Sequence, residues 1–323
     1  MKLINKSVEY KMLNSQKLEE VLNTNFKQLF PPSLKQIIIT PRKHNQYISI
    51  VHEYDCNAKI SKGENHSGSA IYVNFMNNDN FEQVIIIKDI VFLIAINTIF
   101  AEFSFKKVEL LGFTTEFEEL FTGCFFHEVG HSIDYFYRNK LYGEIPYIKK
   151  DYDLSDAKEN NEFFKNAAAK LWSEFYAQFV SEECFKQSHL FYVTELNRLI
   201  ENPIKEINSD KDIIEALNYC YRIAYNLSLV TARIISRNKK INNLQLIQEL
   251  ESIINNIDQS SIKYSLTLYD LYLHIDHWIF DNVKKYMANA YLELIQEFTE
   301  EKIEIIKFEI DEKKIFTKRN LNF

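Results

Sequence analysis

Two histidines four residues apart, with a glutamate directly after the first, make His127-Glu128-Val129-Gly130-His131 the stretch of this chain best equipped for chemistry. On a helix that spacing puts both imidazoles on one face, one turn apart, where they can share a metal ion. Neutral imidazole is a good zinc ligand, and zinc lowers the pKa of a bound water to ~7. Glu128 sits beside the first ligand, where a carboxylate can take that water's proton. The same residues could also ride on a solvated helix by chance. The flanks oppose this: Phe121, Cys124, Phe125, Val129, Ile133 and Phe136 predict a largely buried helix. Buried histidines and a buried carboxylate need partners, and a shared metal supplies them.

A catalytic zinc takes three protein ligands and keeps one position open. Downstream, Leu171-Trp172-Ser173-Glu174-Phe175-Tyr176-Ala177-Gln178 lies in a strong helical pattern. Leu171 and Phe175 face the core. Glu174 falls between these bulky residues, where a free carboxylate is costly, and the small Ala177 permits a close neighbour. Glu174 is the expected third ligand, although from spacing alone an exposed glutamate fits nearly as well. Asp134, Glu182 and His189 compete for the role. Asp134, three residues after His131, could instead orient a ligand by accepting its hydrogen bond.

Other residues carry weaker signals. His274-Ile275-Asp276-His277-Trp278 is a second histidine cluster whose members would neighbour each other at i,i+3 on a helix. A polar face of an amphipathic helix explains it better than a substrate contact. Tyr135, Tyr142, Tyr147 and Tyr152 could each donate to a developing oxyanion, and sequence does not choose among them. Cys124, one turn before His127, is best read as a small buried apolar residue.

The elements that must hold these residues follow from turn and capping signals. Thr115 can cap the motif helix, with Glu118 completing a capping box, so the helix is expected over 116–138. Residues 36–40, 47–54 and 69–76 are rich in Ile, Val and Tyr between breakers and read as strands, with 61–68 as a hairpin loop. Residues 84–103 read as a buried element, helical in its second part. All six glycines lie from Gly63 to Gly143 and the last proline is Pro203. Residues 204–323 therefore lack the strongest breakers and should be mostly helical. Ile213, Leu217, Cys220, Ala224 and Leu227 keep the helical period, as do Leu244, Ile247, Leu250, Ile253 and Ile254. Residues 302–310 fit a short strand or an amphipathic helix equally well. The expected fold class is α+β: residues 1–155 carry strands and the motif helix, residues 156–323 are helical and carry the glutamate ligand, and together they form one catalytic unit.

Composition bounds the partners. A chain of 323 residues with 46% hydrophobic content can bury a sizeable core, and its formal net charge of −7 with interspersed signs gives no nucleic-acid surface. The longest apolar run, 90–96, is far short of the ~20 residues a membrane span needs. Four scattered cysteines, no CxxC pair and no apolar leader segment fit a cytoplasmic protein with reduced thiols, export without a cleaved signal aside.

An HExxH helix followed by a later helix with a glutamate ligand resembles the gluzincin metallopeptidases. The likeness is closest to the catalytic domain of anthrax lethal factor and its relatives, where HExGHxxD precedes an ExxA segment; the corresponding residues here are His127 through Asp134 and Glu174 through Ala177. ImmA-like peptidases share a similar layout. The resemblance implies a zincin-like fold, Zn2+ on His127, His131 and Glu174, and Glu128 as general base. It also implies a peptide or protein substrate. It is specific only in those two segments. The lethal-factor family has a tyrosine seven residues before its glutamate ligand, and Ala167 stands there in this chain. The expected function is a zinc-dependent endopeptidase in which strand 69–76 lines the substrate cleft. The alternative is a catalytically silent zincin-fold module that binds a protein or uses the metal as a staple.

Overall fold

A computed structural model of the protein describes residues 1–7, 15–55, 70–77, 80–99, 115–142, 154–185, 200, 213–274 and 280–299. The chain divides into two compact units, Met1–Pro146 with Val180–Ser188, and Tyr147–Phe179 with His189–Asn322.

The first unit is built on four strands: β1 (Lys2–Asn5), β2 (Leu34–Thr40), β3 (Ala70–Asn77) and β4 (Asn80–Lys88). Their order in the sheet is β1-β2-β4-β3. β1, β2 and β4 are parallel, while β3 runs antiparallel to β4 and forms the outer strand. The two central strands carry uninterrupted apolar runs, Ile37 to Ile39 and Val84 to Ile87, all fully buried. Such runs mark strands covered on both faces. One face presents Ile38, Val84 and Ile86 to Tyr47, Ile50 and Val51 of α2 (His44–His52). The other turns toward α4 (Thr115–Tyr142), whose Ser132 carbonyl accepts a 3.0 Å hydrogen bond from Gln83 Nε2. Gln83 Oε1 in turn accepts from Ser33 Oγ at 2.6 Å, so the buried carboxamide is satisfied at both ends.

Two more helices complete this unit. α1 (Ser15–Asn25) packs on β1, and α3 (Asp89–Ile99) packs along α4. Aromatic edges lock α4 in place: Phe125 meets Phe92 at 6.2 Å between centroids, and Phe126 meets Phe26 at 5.6 Å. The motif helix is thus fixed through the residues on either side of its histidines.

The strands expected at 36–40 and 69–76 appear as Leu34–Thr40 and Ala70–Asn77, with residue 69 outside the described residues, but 47–54 do not form a strand. Residues 44–52 are helical, and Tyr47, Ile50 and Val51 face the sheet with Tyr54 packed beside them. Their i, i+3, i+4, i+7 spacing is a helical stripe, which outweighs the β propensity of the residue types. The hairpin partner of β3 is consequently β4, paired down to Asn77 and Asn80. Residues 61–68 and 302–310 lie outside the described residues. The buried element after β3 is strand first and helix second, with the change at Asp89. The buried Asp89 carboxylate accepts from Ser7 Oγ at 2.6 Å and from Arg42 Nε at 3.3 Å.

The second unit is helical throughout its described residues. It holds the first part of α5 (Ala157–Cys184), then α6 (Ile213–Arg237), α7 (Asn243–Ile253), α8 (Gln259–Leu273) and α9 (Phe280–Phe298). Asp156 Oδ1 accepts from the Lys158 and Glu159 amides and starts α5. Asn242 and Asp258 do the same for α7 and α8 through Gln245 N and Ser261 N. The apolar period of α6 is buried as expected at Leu217, Cys220, Ala224 and Leu227, but that of α7 is rotated. Leu246, Leu250 and Ile253 are buried, whereas Leu244, two residues into the helix, is 65% exposed. The architecture is α+β, a small mixed sheet with most of the chain helical. No helix among the described residues is long and apolar enough to cross a membrane.

Candidate metal centre

α4 begins at Thr115 and continues to Tyr142, one turn past the expected end; the Thr115 side chain lies outside the described residues. From Phe125 to Asp134 the helix is buried except at three positions, which are His127, Glu128 and His131. Within that sealed stretch, the residues with chemistry are the ones that reach water. The two imidazole rings are perpendicular, with centroids 4.7 Å apart. That is the geometry i,i+4 side chains adopt on one helix face.

α5 shows the same pattern. Between Leu171 and Glu182 every residue is buried except Glu174. One ligand atom each from His127, His131 and Glu174 can be chosen so that all lie within 4.8 Å of one another. Two turns beyond Glu174 on α5, Ser181 Oγ donates 2.9 Å to the carbonyl of Gly123, one turn before His127 on α4. Ala177, fully buried, presents only a methyl group between these points. The group thus contains the three residues whose types and spacing point to a metal.

Of the competitors, Asp134 is paired within its own helix, Glu182 is not in the group, and His189 lies outside the described residues. Asp134 is buried and accepts 2.6 Å from Arg138 Nη2, which also lies over the Tyr135 ring at 3.9 Å. Asp134 thus makes an ion pair within α4 and is not part of the metal-competent group. Glu182 is fully buried further along α5 and is not part of the group either. His189, Tyr147, Tyr152 and His277, together with the side chain of Tyr142, lie outside the described residues. His274 is exposed at the end of α8, where its Nδ1 lies 2.9 Å from the Asp270 carbonyl and 3.3 Å from Asp270 Oδ1.

Two groups feel the charge of the Glu128 carboxylate. Burial raises the Cys124 thiol, and the Glu128 carboxylate raises it further. Cys124 is a free, neutral thiol under such conditions, as are the other described cysteines Cys184 and Cys220 in having no disulfide. Tyr47 is raised first by burial and then by Glu128. It reaches that field from the α2 side of the sheet. One residue near the group carried no signal in the sequence: Tyr221 on α6, whose phenol is held well above its ordinary value by burial and then by the charge of Glu174.

No known family, curated protein or solved structure gives a significant match to this chain. The chemistry must therefore be argued from the donor set itself. Two imidazole nitrogens with one carboxylate oxygen form a mixed set that suits zinc, whereas magnesium and calcium sites are built from oxygens. Three such ligands would leave one position of a tetrahedral zinc open, and each of the three residues is partly exposed.

Proposed function

We propose that this chain is a zinc-dependent endopeptidase of the gluzincin type, with a zincin-like fold. The observation that carries the reading is the convergence of His127, His131 and Glu174 within 4.8 Å, with Glu128 beside the first histidine. When bound, zinc supplies a Lewis acid that polarises the scissile carbonyl and the attacking water. His127 and His131 would hold it from one helix face and Glu174 from another helix. Glu128 takes the proton of the attacking water and delivers it to the leaving amine. The antiparallel outer strand β3, against which α4 packs, is where an extended peptide can add as a further strand. A purely structural metal staple is disfavoured because such sites are closed by four ligands. The group here has three among the described residues, each partly buried.

Glu128→Gln decides between catalyst and binding module. The variant should bind as much zinc as wild type and lose about 10²–10⁴-fold in turnover on a peptide library. Equal cleavage by both proteins places the base elsewhere. A wild type that cleaves nothing across a broad library yet holds a protein partner tightly replaces the peptidase with the silent module.

A further inference from the structure

Tyr221 sits on α6 in an aromatic neighbourhood that fixes its ring. Its centroid is 6.4 Å from that of Tyr291, edge-on, and Tyr291 lies 6.2 Å from Phe164 of α5. The Lys170 ammonium is 5.8 Å from the Tyr221 centroid. Lys170 and Glu174 are neighbours at i,i+4, one turn or ~6 Å along α5. The Tyr221 ring therefore lies beside the ammonium of a lysine one turn before the third ligand on α5.

The phenol oxygen of Tyr221 is shielded from water and has no hydrogen-bond partner among the described residues. Its buried counterparts in the same helical unit are satisfied. Tyr264 shares a 2.7 Å hydrogen bond with Ser228, Tyr269 donates to the Ile241 carbonyl, and Tyr291 donates to the Leu217 carbonyl at 3.4 Å. A buried hydroxyl left unpaired is destabilising, so an orphan beside a candidate site calls for an acceptor. A phenol is protonated at neutral pH by its ordinary chemistry. This one meets its surroundings as a neutral O–H donor, and Glu174 is the carboxylate whose charge acts on it.

We propose that Tyr221 is a positioning residue for the third metal ligand: once one oxygen of the Glu174 carboxylate is held by the metal, the unpaired phenol would donate its hydrogen to the other. A carboxylate held at one oxygen offers the other in a fixed direction. Outer partners of this kind orient ligands and strengthen the site without touching the metal. This role rests on the metal centre proposed above, and it concerns the affinity of the site before any turnover.

The test compares wild type, Tyr221→Phe and Tyr264→Phe by zinc competition against a chromophoric chelator and by thermal melting of the metal-free proteins. Tyr221→Phe keeps the ring against Tyr291 and Lys170 and removes only the hydroxyl. Its zinc affinity should fall about 10–100-fold, while its metal-free melting temperature stays level or rises, since an unpaired hydroxyl is lost. Tyr264→Phe should do the reverse, melting lower with unchanged zinc affinity. Zinc affinity of Tyr221→Phe within threefold of wild type overturns the role. So does an equal loss in Tyr264→Phe, which makes the effect a general loosening of the bundle. A wild type that binds no zinc at all overturns both this role and the metal centre. Tight wild-type binding with an unaffected Tyr221→Phe overturns this role alone.

Discussion

Histidines come close together in sequence at two places, and the two places teach different things. His127 and His131 lie in the middle of a long helix, flanked by buried Phe125, Val129 and Ile133, with ring centroids 4.7 Å apart and Glu174 converging from another helix. His274 lies at the C-terminal end of α8, exposed, with a backbone carbonyl and an exposed carboxylate of its own helix as partners. Residue type is the same in both. On the proposed reading, what separates a ligand from a capping side chain is a buried frame that fixes the ring and a carboxylate brought in from another element.

The sharpest break in that comparison is loss of a ligand. His131→Ala and Glu174→Ala should each remove nearly all bound zinc from the purified protein, a larger effect than the ~10–100-fold expected for an outer partner. Metal analysis after dialysis reads the result directly. Zinc that stays stoichiometric in either variant sinks the ligand set. Next in size is Asp134, a carboxylate on the same helix that is committed to Arg138. Both side chains are nearly inaccessible, 4% and 6% exposed. Removing one member of a buried ion pair strands the other charge, at a cost of about 3–5 kcal/mol. Asp134→Ala should therefore lower the unfolding free energy by that order in denaturant titration while the folded protein still loads zinc. A variant of normal stability that fails to bind zinc would return Asp134 to the metal site.

The difference between these carboxylates also marks how far the sequence could be read. The i,i+4 histidine pair is a local signal that helix geometry alone converts into a shared face, and α4 forms where the pattern puts it. Glu174 is legible only in part. Its apolar neighbours predict the helix, but its convergence on the histidines depends on a packing that no local pattern encodes. The two apolar central strands are legible as buried, while 47–54 misleads because Ile48, Ile50 and Val51 favour strands by type and helix by spacing. Leu244 misleads in the other way. Several apolar positions near the start of α7 fit a stripe, and the capping of Asn242 sets which of them turn inward. Tyr221 is illegible. A tyrosine inside an amphipathic helix reads as core, and only an unpaired phenol oxygen in three dimensions separates it from Tyr264 or Tyr291.

The smallest effect belongs to His274, and its smallness is what the comparison requires. Its imidazole contacts Asp270 one turn earlier, with the two side chains 49% and 55% exposed. Exposed pairs of this kind contribute ~0–1 kcal/mol, screened further by salt. The backbone of His274 already closes α8 through its own N–H to the Asp270 carbonyl, which any residue can do. His274→Ala should therefore shift stability by no more than about 0.5 kcal/mol, the range of ordinary surface substitutions. Zinc content and peptide turnover should match wild type. The measurement is a parallel zinc titration and turnover assay on His274→Ala and His131→Ala at equal concentration. If His274→Ala loses zinc or turnover, the second histidine cluster belongs to the site, and burial of the frame no longer separates ligand from cap.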